Sequence, residues 1–556
     1  MKRAFIIAVI AGAIFSCKKQ NGHSAASTPA GAFTFKSVTV NGINNNTLTY
    51  SNVDTAPVIQ FYFSAPIDTT SVAANIGISG AGGIVGGKFS YANNDSVLIV
   101  QTATPLQPLT PYTFYITKDL RSTADSSLGS NVVLYITTGI DTVDKFPRIS
   151  DSALLTLVEQ QTFNYFWSNG DPTSGMAKER ASQTQVTTGG SGFGIMAMLV
   201  GVQRNFISRT DALNRITTIV NFLTNTVTTY HGAFSHWING STGATIPFST
   251  QDNGGDIVET SYMLQGLLCA RQYFNSTTNP NETSLRTAIN NLYNNVDWNW
   301  YRQNGQNVLY WNWSPTYNFA INVQVTGWCE ALITYVLAAS SPNSTAAIPP
   351  IVYTNGWAKN GGEKNGNTYY GTPLPLGPPY GGPLFFAHYS FLGINPNGLS
   401  DAYANYWTQN TAHAMINYQY CVANPNHFVG YGDSCWGLTA SDIQNGYTAS
   451  SPTNDVGVIA PTAAISSLPY TPTQSMNALR FFYYKLGDKI WGQYGFIDAF
   501  NLTNIWFDND FLAIDQGPEI VMIENYRSGL LWNLFMSCPE VQTGMQSLGF
   551  SGPNLP

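Results

Sequence analysis

The chain has little charge, and this shortage narrows the classes of function open to it. Only 10% of its 556 residues are charged, whereas roughly 25% is usual in soluble domains, and the net charge is −7. Its only short basic clusters are Lys2-Arg3 and Lys18-Lys19. Since phosphate neutralisation needs clustered Lys and Arg, nothing in the sequence favours nucleic-acid binding. Solubility must come from neutral polar residues, and such a surface suits an exported protein that handles a neutral polymer.

Cysteine and histidine are also scarce, which argues against disulfide and metal frameworks. Beyond Cys17 the chain has five cysteines, an odd number without a Cys-x-x-Cys pair, and a bridge between Cys421 and Cys435 stays open. There is no His-Glu-x-x-His motif, no close histidine pair and no Gly-x-Ser-x-Gly elbow. The glycine-rich run at 189–194 lacks the third spaced glycine of a nucleotide site. We therefore expect neither a metal nor a cofactor.

Apolar runs long enough for a membrane span are missing, but a shorter run lies at the N-terminus. Lys2-Arg3 precede an apolar stretch at 4–15, the order found in secretory signal peptides. Residues 13–17 resemble a bacterial lipobox, which predicts a lipoprotein signal peptide over 1–17 with Cys17 lipidated. The alternative is an ordinary signal peptide with an incidental cysteine. Residues 18–31 are typical of a flexible tether. We expect a monomer held by lipid on the periplasmic or cell-surface face of a bacterial outer membrane.

A β-strand pattern fills residues 32–143. Apolar and polar residues alternate at 59–63, 96–100 and 112–116, and turn residues separate these stretches at short intervals, as in a β-sandwich. This region resembles bacterial Ig-like domains through Phe63-Ser64-Ala65-Pro66-Ile67-Asp68 and through the segments 109–113 and 135–139. The resemblance implies an all-β Ig-like sandwich and says little about function.

Helical patterns dominate residues 150–556. A first helix is predicted from Asp151 or Ser152 to Phe166, where apolar residues recur at helical spacing. Further helices are predicted at 192–205, 209–225, 256–274, 283–295, 323–339, 400–418, 471–486 and 519–536. Long loops rich in Gly, Pro and aromatic residues separate them, and such loops are usually functional. Many helices with such loops fit a ring of paired helices, although periodicity alone leaves a solenoid or two bundles open.

Five carboxylates stand out because only 31 acids occur in the whole chain. Glu330 lies in an apolar stretch, Asp515 opens Asp515-Gln516-Gly517-Pro518, and Asp252, Asp256 and Glu259 share a glycine-containing segment. Separated carboxylates in an aromatic-rich, charge-poor chain point to sugar chemistry, since glycosidic hydrolysis needs an acid and a base. Structural alternatives exist for each: a favourable first-turn Glu330, an N-cap at Asp515, and a capping box at Asp256 and Glu259. The sugar-binding interpretation assigns Asp252, Asp256 and Glu259 to substrate hydroxyls.

Aromatic and histidine side chains supply further candidates for substrate binding. The predicted stacking platforms for sugar rings are Trp237, Trp313, Tyr389, Trp407 and Trp436. His236 and His388 lie in loop motifs with polar and aromatic neighbours, where they would orient substrate hydroxyls. The alternative for each large aromatic residue is an ordinary place in the core.

Several of these segments, in the same order, resemble one family of exported bacterial enzymes. The segments are 161–167, 189–194, 236–239, 252–260, 381–390, 436–442 and 515–518, and the resemblance covers about 150–553. It is closest to glycoside hydrolase family 144, the endo-β-1,2-glucanases with a glucoamylase-like domain. The resemblance implies an (α/α)6 barrel and inverting hydrolysis of β-1,2-glucan to sophoro-oligosaccharides, with Glu330 as general acid and Asp515 as general base. Three further residues match the family's motifs, namely Asp442, Glu524 and Arg527. We expect them to lie behind the residues that contact substrate.

The chain departs from the family pattern at two positions, and two rival functions stay open. Cys329 stands where the family has Asn before the glutamate, and Glu519 stands where an apolar residue is expected. Both departures bear on fine specificity. One rival is another glucan specificity, such as an exo-acting β-glucosidase, and the other is a non-catalytic glycan-binding surface lipoprotein.

Overall fold

The computed structural model describes residues 32–555, which form two compact units divided between Gly139 and Ile140. The first unit therefore ends before the predicted residue 143. Residues 140–149 lie with the second unit, where Lys145 N donates to Tyr484 O at 2.6 Å and Phe146 packs on Tyr483. The predicted signal peptide over 1–17, its Cys17 and the tether over 18–31 lie outside the described residues.

The first unit is a β-sandwich of two sheets. Its elements are β1 Phe35–Val40, β2 Thr49–Val53, β3 Val58–Phe63, α1 Val72–Asn75, β4 Ile76–Gly80, β5 Gly83–Ile84, β6 Gly87–Ala92, β7 Val97–Thr102, β8 Pro111–Ile116 and β9 Val132–Thr138. One sheet has the strand order β1-β3-β7-β6 and the other the order β2-β9-β8-β4-β5, with β2 and β9 parallel. Alternate residues of β3, Ile59, Phe61 and Phe63, are buried in the core, as the alternating pattern predicts. The three predicted strands are confirmed as β3, β7 and β8.

The second unit is helical, with short strand pairs in its loops. Its helices are α2 Asp151–Ser168, α3 Thr188–Gln203, α4 Arg209–Asn225, α5 Ile257–Tyr273, α6 Pro280–Asn294, α7 Leu332–Ala339, α8 Pro350–Val352, α9 Tyr406–Ala423, α10 Pro461–Ser466, α11 Pro472–Ile490, α12 Ala513–Ser528, α13 Leu530–Met536 and α14 Pro539–Ser547. Its strands are β10 Val186–Thr187, β11 Trp237–Ile238, β12 Thr245–Ile246, β13 Gly255–Asp256, β14 Asn312–Trp313, β15 Thr368–Tyr369, β16 Thr372–Pro373, β17 Ala440–Ile443, β18 Gly446–Ala449, β19 Trp491–Gly492, β20 Gly495–Phe496, β21 Phe500–Asn501 and β22 Trp506–Phe507. Within the described range, no helix is both long and apolar enough to cross a membrane.

An inner ring of helices forms the core of this unit. Helix α3 packs on α5 and α12, α5 packs on α7, α10 packs on α12, and the turn Tyr389–Leu392 contacts both α7 and α12. The outer helices α2 and α11 pack on α12 and α10 from outside. A Cβ on Gly192 of α3 would lie 2.1 Å from Tyr262 O of α5, so only glycine permits this close crossing. The predicted succession of an Ig-like sandwich and an (α/α)6 barrel is confirmed.

Three helix predictions had wrong bounds, and glycine explains two of them. The third, over 400–418, begins only at Tyr406 and continues to Ala423. The predicted helix over 323–339 begins only at Leu332, because Gly327 has φ +75° and its N–H bonds to Trp357 O instead of a helical carbonyl. The predicted helix over 519–536 is two helices, α12 and α13, separated at Gly529 with φ +70°. The sequence left a disulfide between Cys421 and Cys435 undecided. The structure excludes it, because both cysteines are buried free thiols.

Candidate active site

The N-terminal ends of inner helices bring several carboxylates together. Asp256 is the N-cap of α5, and Glu259 is its third residue. Glu259 Oε2 accepts a hydrogen bond from Gly189 N, in the first turn of α3, at 2.7 Å. Asp515 is the third residue of α12, and Glu330 lies two residues before α7. Helix N-termini favour negative charge, so this face of the ring is built to hold anionic side chains.

Asp256 is fully buried, and the protein occupies both of its carboxylate oxygens. Oδ1 accepts from the N–H groups of residues 258 and 259, each at 2.9 Å. Oδ2 accepts from Trp311 Nε1 at 3.1 Å and lies 3.4 Å from His236 Nδ1. The predicted substrate contact of Asp256 is therefore wrong, because no oxygen is left for a sugar hydroxyl. Its place in a capping box is half confirmed: Asp256 caps α5, but Glu259 reaches across to Gly189.

His236 is the positive charge of this group. Burial alone would lower the pKa of its imidazole, but the carboxylates of Glu259 and Asp256 outweigh burial and raise the pKa to about 10. Burial raises the pKa of Glu259 to about 7, although the charge of His236 opposes the rise. His236 is therefore charged at neutral pH and holds at least one neighbouring carboxylate ionised. Sequence analysis placed both residues at the site, and the structure brings them together.

Asp252 and Trp237 lie beside this group, and Trp313 lies on a neighbouring strand. Asp252 is half-buried in the loop before β13, and burial together with the charge of Asp256 raises its pKa to about 6. The Trp237 ring contacts His236 edge-on and packs on Phe248, whose side chain is 51% exposed. Trp313 pairs with Gly255 across β13 and β14. Trp237 therefore lies against the charged His236, whereas the Trp313 ring packs with the rings of His231 and Trp300. Phe248 adds an exposed ring that sequence analysis missed.

Glu330 lies in the turn before α7, half-buried beside two tyrosines. Its carbonyl oxygen accepts from Ser390 Oγ and lies 3.5 Å from Tyr262 Oη. Burial raises the pKa of the Glu330 carboxyl to about 7, and the charges of Glu259 and Asp256 add to the rise. A carboxyl with this pKa can hold and release a proton near neutral pH.

Asp515 is buried on the other side of the site, in a second group of carboxylates. Burial and the neighbouring Asp498 and Asp442 raise the pKa of Asp515 well above its usual value. Asp498 is fully buried, and its Oδ2 accepts from Asp442 N at 2.7 Å. Arg180 donates to both oxygens of Asp442, with Nη2 2.8 Å from Oδ1. The predicted place of Asp442 behind the reacting groups agrees with this geometry.

Tyr389 connects the two groups. It is buried and packs on Phe193 and Tyr262 with ring centroids 5.5 and 5.7 Å away, so it forms the floor of the site and not an open stacking platform. Burial raises the pKa of its phenol well above the usual value, and the carboxylates of Asp515 and Glu330 both contribute. The phenol therefore lies within electrostatic reach of both predicted catalytic residues.

Three predicted substrate residues lie elsewhere. His388 is buried, its Nε2 is 3.0 Å from Ser467 Oγ, and burial lowers its pKa to about 3. Trp436 is fully buried and donates to Gln474 O at 3.4 Å. Their predicted contacts with substrate are wrong, because neither side chain reaches solvent.

Trp407 lies on α9 and lines a separate apolar cavity of about 370 Å³. Glu524 and Arg527 belong to a buried ion cluster with Arg204 and Glu159 at the far end of α12.

Sequence analysis missed two acids of the site. Asp498 lies in the apolar segment Phe496-Ile497-Asp498-Ala499-Phe500, the same signal that identified Glu330. Glu179 lies between Lys178 and Arg180, a charged run that is typical of a solvated loop. Its carbonyl accepts from Ala513 N at 3.0 Å, which sets it beside the start of α12, and its charge contributes to the raised pKa of Asp515.

Three carboxylates lie close enough together to be a candidate cation site, namely Asp442, Asp498 and Asp508. One oxygen from each lies within 4.8 Å of the others. However, Arg180 already donates to both oxygens of Asp442, and Asp442 N occupies one oxygen of Asp498. A hard cation takes six to eight oxygen ligands as Ca²⁺ or near-octahedral geometry as Mg²⁺, so the donor set fits a guanidinium better than a metal ion.

Comparisons with known proteins agree with this architecture. A family model described as "Putative glucoamylase" matches residues 322–539, and a "Bacterial Ig-like domain" model matches 37–138. The chain is 46% identical over 423 residues to an exo β-1,2-glucooligosaccharide sophorohydrolase (non-reducing end) from Parabacteroides distasonis, a match that covers 72% of this chain. The chain spans only 58% of that relative's length.

Solved structures match over the helical unit and beyond. A "putative glucoamylase" from Bacteroides uniformis is 53% identical with a TM-score of 0.72 and covers 74% of this chain and 100% of its own. An endo-β-1,2-glucanase from Chitinophaga pinensis, in complex with sophorotriose and glucose, is 51% identical with a TM-score of 0.71, covering 73% and 100%. A β-1,2-glucanase from P. distasonis is 38% identical with a TM-score of 0.70, covering 94% of this chain and 74% of its own. The chain therefore belongs to the glucoamylase-like enzymes of glycoside hydrolase family 144 and carries an N-terminal bacterial Ig-like domain.

Proposed function

We propose that this protein hydrolyses β-1,2-glucan. The observation that carries the proposal is that Glu330 and Asp515, two carboxyls with raised pKa values, both lie within electrostatic reach of the buried phenol of Tyr389. The relatives named as β-1,2-glucan hydrolases, at 46% and 51% identity, support the substrate class.

In the proposed reaction Glu330 is the general acid and Asp515 the general base. Glu330, with a pKa of about 7, holds a proton at and below neutral pH and donates it to the leaving glycosidic oxygen. Asp515 activates a water on the opposite face of the sugar ring, which inverts the anomeric centre. A β-1,2 linkage crowds the scissile oxygen, so a substrate hydroxyl or a water is suited to relay the proton. Charged His236 and half-buried Asp252 bind sugar hydroxyls beside the acid.

We further propose an endo mode that releases sophoro-oligosaccharides, as the sequence resemblance implies. The C. pinensis relative is an endo-β-1,2-glucanase, whereas the P. distasonis sophorohydrolase is exo-acting, so the second candidate is an exo-acting hydrolase of the same linkage. A third candidate, a non-catalytic glycan-binding protein, predicts saturable binding without new reducing ends.

Reducing-end release by the purified full chain on linear β-1,2-glucan tests all three candidates. β-1,3-glucan, β-1,4-glucan and starch serve as control polymers, and Glu330→Gln serves as the matched inactive variant. Mixed oligosaccharides from the β-1,2 polymer alone support the endo mode. Accumulation of a disaccharide from the start supports the exo mode, and binding without release supports the glycan-binding protein.

We also propose that Cys17 is lipidated and anchors a monomer to the outer membrane. The lipobox resemblance at 13–17 supports this proposal. Fatty-acid labelling of the wild type with loss in Cys17→Ser tests the anchor, and light scattering of the delipidated chain tests the monomer.

A further inference from the structure

A cation lies in each of the two carboxylate groups of the site, and a partly exposed aromatic ring packs on each cation. In the first group the rings of His236 and Phe248 lie with their centroids 4.5 Å apart and their planes at 33°. In the second group the Arg180 guanidinium, bonded to Asp442, lies 5.8 Å from the centroid of the Tyr447 ring. Phe248 is 51% exposed and Tyr447 is 50% exposed. Each ring therefore presents a large surface to solvent beside the acids.

The hairpin formed by β17 and β18 fixes the position of Tyr447. Asp442 and Tyr447 are paired across this hairpin. Arg180 donates to both oxygens of Asp442, and its guanidinium lies within the distance of a cation–π contact with the Tyr447 ring. Among residues 32–555 the Tyr447 hydroxyl has no hydrogen-bond partner. The ring is therefore held in place by the protein, and its hydroxyl is left for a ligand.

The loop before β13 holds Phe248 in a similar way. Phe248 N donates to Asp252 O at 2.9 Å, which closes the loop that carries the ring. The ring packs on Trp237, with centroids 4.7 Å apart, as well as on His236. Two rings of the site thus support Phe248, and the half-buried carboxyl of Asp252 belongs to the same short loop.

A hairpin of the chain over 178–187 connects the two rings to a single site. Its Thr187 pairs with Trp237, which supports the first ring. Its Arg180, which supports the second ring, pairs with Leu512 at the N-cap of α12. The two exposed rings are therefore attached to opposite ends of one short element and belong to one site.

We propose that Phe248 and Tyr447 are two sugar-binding platforms that hold different glucose units of the same β-1,2-glucan chain. The face of a glucose ring that carries C–H groups is apolar and packs on an aromatic ring, whereas its hydroxyl groups need polar partners. The hydroxyl of Tyr447 and the carboxyl of Asp252 supply such partners, one beside each ring. A glucan that contacts both rings spans both carboxylate groups. The inference rests on the proposed hydrolase function and names its substrate contacts.

Steady-state kinetics on linear β-1,2-glucan test the platforms. Phe248→Ala and Tyr447→Ala should each raise KM about five- to tenfold, the size of one aromatic contact, and leave kcat within about twofold. Phe248→Tyr and Tyr447→Phe keep the rings and should restore KM to within about twofold of the wild type. Because the platforms hold different glucose units, the double alanine variant should multiply the two effects, to about 25- to 100-fold.

Tyr526→Ala is the matched control for these variants. Tyr526 is 46% exposed, but it lies near the C-terminal end of α12, whereas Asp515 lies at the N-terminal end. Its KM should equal that of the wild type. Unchanged KM in both alanine variants, or a lower kcat at unchanged KM, overturns the platforms. A double variant no weaker than either single variant overturns the assignment to different glucose units.

Titration calorimetry of β-1,2-gluco-oligosaccharides into Glu330→Gln measures binding without turnover. Adding Phe248→Ala or Tyr447→Ala to this background should raise Kd by the same factor as KM, and an unchanged Kd overturns the platforms. A wild type that cleaves no glucan, together with weaker binding in both alanine variants, refutes the hydrolase function and leaves the platforms standing.

Discussion

Glu519 permits a sharp test of how burial governs the acids of this unit. It lies one turn after Asp515 on α12, is fully buried, and faces α2, where Thr162 Oγ1 donates to its Oε2 at 2.8 Å. Its Oε1 has no partner within the described range. Burial raises the pKa of Glu519 to about 8, although the bond from Thr162 opposes the rise. It is also one of the two positions where the chain departs from the family pattern. We predict that Glu519→Gln makes the protein less sensitive to alkaline pH.

The magnitude follows from the two pKa values. A glutamate that titrates near 4.5 unfolded and near 8 folded is protonated in both states below pH 4.5 and costs no stability there. Between pH 4.5 and pH 8 this glutamate ionises in the unfolded chain but stays protonated in the folded protein. The resulting loss of folding free energy approaches about 5 kcal/mol above pH 8. Between pH 5 and pH 9 the wild type should lose about 4 kcal/mol relative to Glu519→Gln. For a unit of about 400 residues this corresponds to about 5 °C in Tm.

Scanning calorimetry of the full chain at pH 5, 7 and 9 measures this difference. Glutamine can still accept the bond from Thr162, and the buried NH₂ group adds a constant cost that does not vary with pH. Asp433→Asn, in an exposed loop, is the control and should leave the gap to the wild type unchanged with pH. A gap between Glu519→Gln and the wild type that is the same at pH 5 and pH 9 would refute the assignment of a buried, neutral Glu519.

Three further predictions concern the site itself. Glu330→Gln and Asp515→Asn should each lower kcat by about 10²–10⁴ while circular dichroism and glucan binding stay intact, and near-normal turnover would remove that residue from its role. Wild-type activity should fall as the pH rises through about 7, because Glu330 then loses the proton it donates, and a flat profile to pH 9 would contradict this acid. Gly189→Ala would place a Cβ 2.6 Å from Glu259 Oε2, so it should cost about 1–3 kcal/mol of stability in thermal melts and lower kcat, whereas a neutral effect would show that Glu259 is free to move.

Local sequence signals predicted most of the elements but not their exact breaks. The alternation at 59–63 and the helical spacing from Asp151 both reflect which face of the strand or helix is buried. The spacing of apolar residues along the chain reveals that face without any knowledge of tertiary contacts. The breaks at Gly327 and Gly529 depend on positive φ angles and on partners such as Trp357 O, which lie outside the local window. For the same reason Glu330 was expected at a helix start but not in the turn before it.

The site was predictable where a carboxylate contrasted with its own neighbours in sequence. Glu330 lies among apolar residues, and the same signal at Asp498 was overlooked. Glu179 gave no such signal, because its place depends on one long-range bond to Ala513 N. His388 and Trp436 were misassigned for the opposite reason: a loop motif at His388 and an aromatic ring at Trp436 suggested exposed groups, yet the helical unit buries both side chains.

The structure places its acids where two physical effects oppose each other. Helix N-termini lower a carboxyl pKa by at most a modest amount, whereas full burial raises it by several units. At Glu330 and Glu259 burial wins, and each pKa lies near 7. Asp498 lies between two short strands, and burial raises its pKa to about 7. The two groups of carboxylates differ in their cations. Charged His236 lies beside Glu259, whereas Arg180 donates both of its hydrogen bonds to Asp442 and leaves Asp515 and Asp498 without a cation of their own among the described residues. A site that lacks cations must store protons, and protons are what an acid and a base across a glycosidic bond have to exchange.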